Sequence, residues 1–367
     1  MFSLRKKNFS KLDKPLIVII AILLIYGLIV LRSAVDSLPG SYMKTQIIAT
    51  LLGILLITII LCIDIDFIKS IYIPIYMFCN VLLIIVLFVG VGDEWGSRSW
   101  FSLGPINFQP AEIAKVGLII SLARFIELHK KNINEPLTLI KILLFAMLPV
   151  ALILKQPDFG TAMVFVFFIA GMLFAAGLDF RYIFSAFILF LVSFPFFYMR
   201  LTTVQKDRIR NFLDKERDIS NTGLQAWRGR IAIGSGRFSG QGYLQGTQSQ
   251  FNFVLEKQTD YIYAVLVEEL GFLGGALVIL LYFLMFFRCI QIARNSESLF
   301  AKLIIVGFAA MLLFHIFENI GMTVGVMPIT GIPLPFFSYG GTFQIINMIC
   351  IGLVLSVSIQ REPLSFM

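Results

Sequence analysis

Long apolar runs, separated by short charged or Pro/Gly-containing stretches, divide almost the whole chain. Ten runs approach or exceed the roughly 20 residues that cross a hydrocarbon core as a helix. They fall at about 16–35, 44–63, 68–91, 110–128, 137–154, 159–177, 180–199, 260–287, 300–323 and 342–360. The pattern predicts an all-α, polytopic integral membrane protein with about ten transmembrane helices. A single membrane domain would cover 1–367, with an N-terminal cytoplasmic segment 1–15 and a large extracytoplasmic loop 200–259. Composition agrees: 58% of residues are hydrophobic and 14% charged, where a soluble domain has about 25% charged. Mean hydropathy is +0.88. The basic "LRKKNFSKLDK" before the first run resembles the n-region of a signal peptide. With so many spans following, it is read as a start-transfer anchor that stays in the chain.

Lysine and arginine set the expected orientation. With the N-terminus inside, Lys6, Lys7, Lys69, Lys130, Lys131, Arg181, Arg288 and Lys302 are among the cations on short cytoplasmic segments. The short outer loops hold little beyond Arg32, Arg98 and Lys155. Both termini are therefore expected in the cytoplasm of a cell whose cytoplasmic (inner) membrane holds the chain. The loop 200–259 departs from the rule, with ten Lys/Arg against five Asp/Glu. Loops of about 60 residues translocate despite such charge. Its basic excess suits either anionic lipid headgroups or an anionic substrate, since Arg forks match phosphate oxygens.

Within that loop, "VQKDRIRNFLDKERD" sets Val204, Ile209, Phe212 and Leu213 among charges, as an interfacial amphipathic helix would. The following "GSGRFSGQGYLQGTQSQ" is expected to be flexible surface chain, and its glycines do not form a dinucleotide fingerprint. No GxxxxGK[ST] motif is present, which argues against ATP-driven transport within the chain. Cys62, Cys79, Cys289 and Cys350 lie in or beside apolar runs without CxxC spacing and are read as space-filling.

Chemistry is expected where polar residues interrupt apolar context, because ionisable groups in a membrane are costly and face cavities or partners. Asp260 opens the eighth span in "EKQTDYIYAVLVEELG". Favouring the helix N-terminus is its plainer role. Glu268 lies roughly 80° round from Asp260 at ~100° per residue and is expected to line the same cavity. Glu269 points nearly opposite and is expected to bond a neighbouring helix. Pro110 begins a helix in "QPAEIAK", where Glu112 and Lys115 can pair at i, i+3. "LKQPDFGTA" brings Lys155 and Asp158 to a tight turn. "GVMPITGIPLPFFSYGG" carries three prolines and Ser338, and is expected to be a re-entrant or tightly packed outer loop. His315, Glu318 and Asn319 follow one side of the ninth span. Four such clusters beneath a basic loop suggest a chamber opening outward.

The stretches "GPINFQPAEIAK", "KQPDFGTA", "QKDRIRNFLD", "GQGYLQGTQSQ", "EKQTDYIYAVLVEELG" and "MPITGIPLPFFSYGG" together resemble the SEDS family (shape, elongation, division and sporulation), in order over nearly the whole chain. "KQPDFGTA", "EKQTD" and "NIGMTVG" resemble its RodA, or elongation, branch more than its FtsW division branch. The resemblance implies a peptidoglycan glycosyltransferase that polymerises lipid II, a disaccharide-pentapeptide on undecaprenyl pyrophosphate. Its implied partners are a class B penicillin-binding protein, other elongation-complex proteins and the membrane, with no nucleic acid. The family's essential aspartate matches Asp260, and its cavity-lining positions match Glu112 and Lys115. The chain departs from the usual "PEKHTDF" at Leu255, Gln258 and Tyr261, and Gln258 cannot exchange a proton near neutral pH.

From this follow the expected roles. Asp260 is the candidate general base or ion ligand, with a divalent cation (Mg²⁺ or Mn²⁺) bridging it to pyrophosphate as a candidate cofactor. Arg98, Lys155, Lys257 and Arg210 are candidate pyrophosphate contacts, and Glu112, Lys115, Asp158, Glu268 and Ser338 complete the candidate substrate site. A lipid II flippase and a non-catalytic scaffold for the penicillin-binding protein are the competing readings.

Overall fold

A computed structural model describes residues 11–92, 99–103, 106–214 and 223–359 of the chain. Each of the ten expected spans has its helix. In chain order the helices are α1 (Lys14–Ala34), α2 (Ser41–Cys62), α3 (Ile65–Ser70), α4 (Tyr72–Val89), α5 (Pro110–Leu128), α6 (Pro136–Lys155), α7 (Phe159–Ala175), α8 (Phe180–Arg200), α9 (Thr203–Leu213), α10 (Leu224–Ser235), α11 (Thr247–Gln250), α12 (Ile262–Arg294), α13 (Leu299–Val324) and α14 (Gly341–Ile359). Seven are long and apolar enough to cross a membrane by length and composition. α5 falls outside that set because Glu112, Lys115, Arg124 and Glu127 interrupt it, and α7 because it is shorter. A small antiparallel hairpin, β1 (Phe101–Leu103) and β2 (Ile106–Phe108), precedes α5 and was not anticipated from the sequence.

Local chemistry marks the helix starts. Asp13, Asp158 and Ser298 accept backbone N–H bonds as N-caps of α1, α7 and α13, and Pro15, Pro110 and Pro136 sit at the first turns of α1, α5 and α6. Thr202 and Gln205 form a reciprocal capping box on α9. α5, α13 and α14 are the most deeply buried spans. α14 lies against α2, α13 against α7 and α12, α4 against α5, and α1 against α12. Glycines allow the close approaches. A Cβ at Gly27 would meet the Phe336 carbonyl oxygen at 2.1 Å, and one at Gly53 the Met348 side chain at 2.6 Å. Most of α8 is exposed on every side, as suits a helix bathed in hydrocarbon.

The decisive departure from a plain bundle lies in α12. Gly271 adopts φ 68°, ψ −168°, a conformation essentially restricted to glycine, and breaks the helix after its first ten residues. The break releases carbonyls and amides that hydrocarbon cannot satisfy. Residues 237–242 take them up. Gln241 N–H donates to the Glu268 carbonyl (2.9 Å) and Gly242 N–H to that of Glu269 (3.0 Å). Phe272 and Leu273 donate to the carbonyls of Arg237 (3.0 Å) and Phe238 (3.3 Å). The glycine-rich segment expected to be flexible surface chain is thus inserted into a helix. Its glycines are there for contact: a Cβ at Gly236 would sit 1.9 Å from the Val267 carbonyl oxygen, and one at Gly240 2.1 Å from that of Glu269.

Gly271→Ala would force a side chain into this conformation and within 2.3 Å of the Gly240 amide nitrogen. The expected result is a loss of about 3 kcal/mol or more, read as a lowered unfolding temperature of the purified protein in detergent.

Candidate active site

Asp260 is half-buried in the turn that leads into α12. Glu256, at φ 49°, folds the chain so that its carbonyl accepts the amides of Thr259, Asp260 and Tyr261 at 3.1–3.2 Å. The turn is then clasped from two further elements. Ser338 Oγ donates to the Thr259 carbonyl (2.6 Å), and Tyr339 N–H to that of Gln258 (2.7 Å). From α13, Asn319 Nδ2 donates to the carbonyls of Asp260 (3.0 Å) and Ile332 (2.8 Å). Burial, reinforced by the negative charge of Glu256, raises the Asp260 carboxyl to about 6; Arg208 and Thr259 pull the other way.

Arg208 of α9 is thus a loop cation whose charge reaches Asp260. It also acts on Tyr261, together with Arg230 of α10. Neither was singled out from the sequence. A signal existed: Gln205, Arg208, Ile209 and Phe212 share the half-buried face of α9, while Arg210 and Leu213 are exposed. The apolar stripe of that amphipathic helix points to Arg208.

Of the expected pyrophosphate contacts, those among the described residues are exposed or engaged with other groups. Arg210 is turned outward and pairs with Asp207 at 3.6 Å. Lys155 is exposed at the end of α6, and Arg98 lies outside the described residues. Lys257 is only 2% exposed; its Nζ donates to the Ser249 carbonyl (2.5 Å) and Ser37 Oγ (3.0 Å). Burial lowers its pKa, and Glu269, Asp36 and Glu268 oppose that shift. Lys257 is a latch between the outgoing loop and the end of α1, because its donors are already committed.

Three expected substrate contacts prove to be ties within the fold. Glu268 is fully buried, and its carboxylate accepts the amides of Gln248 (2.6 Å) and Ser249 (3.0 Å), which moors α11. It does not share the surroundings of Asp260, because the inserted loop closes over it. Ser338 is fully buried and engaged with Thr259 and with the Leu334 amide at 2.8 Å. Asp158 caps α7 through the Thr161 amide (3.1 Å) and hydroxyl (2.9 Å), and accepts Gln109 Nε2 at 3.1 Å. Glu269 meets the expectation of bonding a neighbouring helix: Ser33 Oγ of α1 donates to it at 2.5 Å, and Gln250 Nε2 at 2.9 Å.

Glu112 and Lys115 form a buried ion pair at 2.8 Å. Lys115 Nζ also lies 2.9 Å from His315 Nε2, and His315 Nδ1 lies 3.3 Å from the Pro333 carbonyl oxygen. An ammonium can only donate, so His315 accepts at Nε2 and carries its proton at Nδ1. The chain of contacts ends one residue from Ile332, which Asn319 ties to Asp260. The prolines of the 326–340 segment thus form a packed wall between the two polar clusters, with Leu334, Phe336 and Phe337 buried. Tyr282 of α12 bonds the Pro335 carbonyl at 2.5 Å.

Asp260 and Glu256 are the carboxylates of this turn, and among the described residues no group of three or more His, Cys, Asp or Glu is gathered to hold a metal ion by protein ligands alone. A Mg²⁺ ion shared between Asp260 and substrate phosphates would need only one or two such carboxylates.

The fold coincides with a known class. The family model described as "Cell cycle protein" (FtsW, RodA, SpoVE) matches residues 14–363. The chain belongs to that family. It is 34% identical to the peptidoglycan glycosyltransferase MrdB of Escherichia coli K12, with 98% of each chain covered. Among solved structures it resembles a chain from work on the coordination of polymerization and crosslinking by a peptidoglycan synthase complex: TM-score 0.83, 31% identity, 95% of this chain and 97% of the other. It also resembles the rod shape determining protein RodA of Thermus thermophilus: TM-score 0.73, 29% identity, 96% and 98% covered.

The Glu112–Lys115 pair generates a prediction. Lys115→Met alone leaves a buried carboxylate unpaired and should cost about 3–5 kcal/mol, whereas Glu112→Gln combined with Lys115→Met should recover much of that loss. Thermal unfolding of both variants in detergent is the measurement.

Proposed function

We infer that the chain is a peptidoglycan glycosyltransferase of the elongation type, polymerising lipid II at the outer face of the cytoplasmic membrane. Family membership supports the reaction class. The observation that carries the site is Asp260, a half-buried carboxylate in a turn clasped from α13 and the 331–339 loop and reached by the charge of Arg208. In the reaction a sugar 4-hydroxyl oxygen attacks the anomeric carbon of the donor. Asp260 accepts the hydroxyl proton as the new C–O bond forms. The bond to pyrophosphate breaks, and its electron pair leaves with the phosphate oxygen. Arg208 and Arg230 meet the charge that develops there. With both termini cytoplasmic, as the lysine and arginine bias favours, this turn and the basic loop face outward. A class B penicillin-binding protein is the partner this reading calls for, in keeping with the likeness to a chain of a peptidoglycan synthase complex.

The test is polymerisation of purified lipid II by the chain with its class B partner, both variants first shown folded and partner-bound. Asp260→Asn keeps size and polarity but cannot take the proton, and should make no glycan. Normal glycan synthesis by that variant would refute the assignment. A wild type inactive where a known polymerase works would bring flipping or scaffolding forward.

The base works ionised, so the rate should fall as pH drops through about 6, the value toward which Asp260 is raised, and level off above it. Arg208→Ala removes a cation that favours the carboxylate. Its acidic limb should therefore move to higher pH, with a rate loss of about 10²-fold from the leaving-group charge left unmet. A pH–rate profile for both proteins checks each part.

A further inference from the structure

The reactive carboxylate of Asp260 is only as well placed as the peptide that carries it, and the carbonyl of that peptide is held by one side chain of another helix. Asn319 is fully buried on α13, and its single amide nitrogen donates to two carbonyls, those of Asp260 and Ile332. No other hydrogen bond described here reaches the Asp260 carbonyl. The same nitrogen therefore sets the spacing between the turn and the 331–333 loop. That spacing matters at the carboxylate, because Gly331, at φ 77°, passes beside it: a Cβ on Gly331 would lie 3.4 Å from Asp260 Oδ2. Glu318, the preceding residue, fastens the same loop by accepting the Thr330 hydroxyl at 2.9 Å. Two consecutive residues of α13 thus grip both sides of Gly331.

We propose that Asn319 is a positioning residue for glycosyl transfer, its amide fixing the Asp260 peptide against the Ile332 carbonyl so that the carboxylate stands beside Gly331 in line with the acceptor hydroxyl. The proposal rests on the reading of Asp260 as the base. Asn319 touches neither substrate nor reacting atoms; it acts through the backbone. A misplacement of about 1 Å far from the bond being made can cost 10²-fold in rate. Binding of the lipid-linked substrate draws on the arginines of α9 and α10, which Asn319 does not contact.

The experiment compares wild type, Asp260→Asn, Asn319→Leu and Asn319→Asp, each as full chain with its class B partner, using purified lipid II. Leucine matches the asparagine in bulk and aspartate matches it in shape, but neither offers the amide. The expected result is a fall in kcat of about 10-fold to 10²-fold for both Asn319 variants, with KM within about threefold of wild type. Unfolding temperature and partner co-purification should show that the variants are assembled at the assay temperature. Asn319 variants that keep wild-type kcat beside an inactive Asp260→Asn would overturn the positioning role alone. An active Asp260→Asn would overturn the reading beneath it. Failure of both Asn319 variants to fold, or a rise in KM matching the fall in kcat, would make Asn319 a residue of stability or binding and refute the proposal.

Discussion

A broken helix is tolerated in hydrocarbon only where protein supplies the hydrogen bonds that the break removes. The arrangement around Gly271 depends on that constraint. Because residues 237–242 bond the carbonyls of Glu268 and Glu269 and the amides of Phe272 and Leu273, the loop is anchored at the depth of the break. The two glutamate side chains then extend the hold in opposite directions, Glu268 to the amides of α11 and Glu269 to Ser33 and Gln250. The loop so secured ends in Lys257 and the tight turn at Glu256. Asp260 inherits its place from that series of contacts.

The buried and half-buried polar residues divide by how fully they are engaged. Lys257, Glu268, Ser338 and Asp158 have committed their donors or acceptors to neighbouring backbone and side chains, which is the ordinary condition of buried polar groups. Asp260 differs, because its backbone is clasped while its half-buried carboxylate feels the opposed charges of Glu256 and Arg208. Glu112, Lys115 and His315 lie between these cases: linked to one another, yet with Glu112 Oε2 lacking a protein partner. Their link to the Pro333 carbonyl makes them part of the wall behind the aspartate.

Much of this was legible in the chain. The spans followed from run length, whereas Asp260 was one of several polar interruptions until the family resemblance matched it to an essential aspartate. The opposite directions of Glu268 and Glu269 followed from the helical angle alone. What each glutamate would meet did not, because the partner of Glu268 is a tetrapeptide some 20 residues earlier that folds back over it. The sequence "GSGRFSGQGYLQGTQSQ" reads as flexible for the same reason: glycines needed for close contact look like glycines needed for freedom until the contacting backbone is known. Arg208 was within reach, since it recurs at helical spacing with Gln205 and Phe212 on α9, a regularity that the basic count of the loop does not express.

The inserted loop also has a consequence for how the protein is made. Residues 237–250 leave the ribosome before the helix they complete, so they must wait, undocked, while α12 is synthesised and placed in the bilayer. Until they arrive, the first part of α12 ends in open carbonyls and amides and has no stable resting place in lipid. The turn that carries Asp260 is attached to that first part, so its placement depends on docking of the loop and not on insertion of the spans alone.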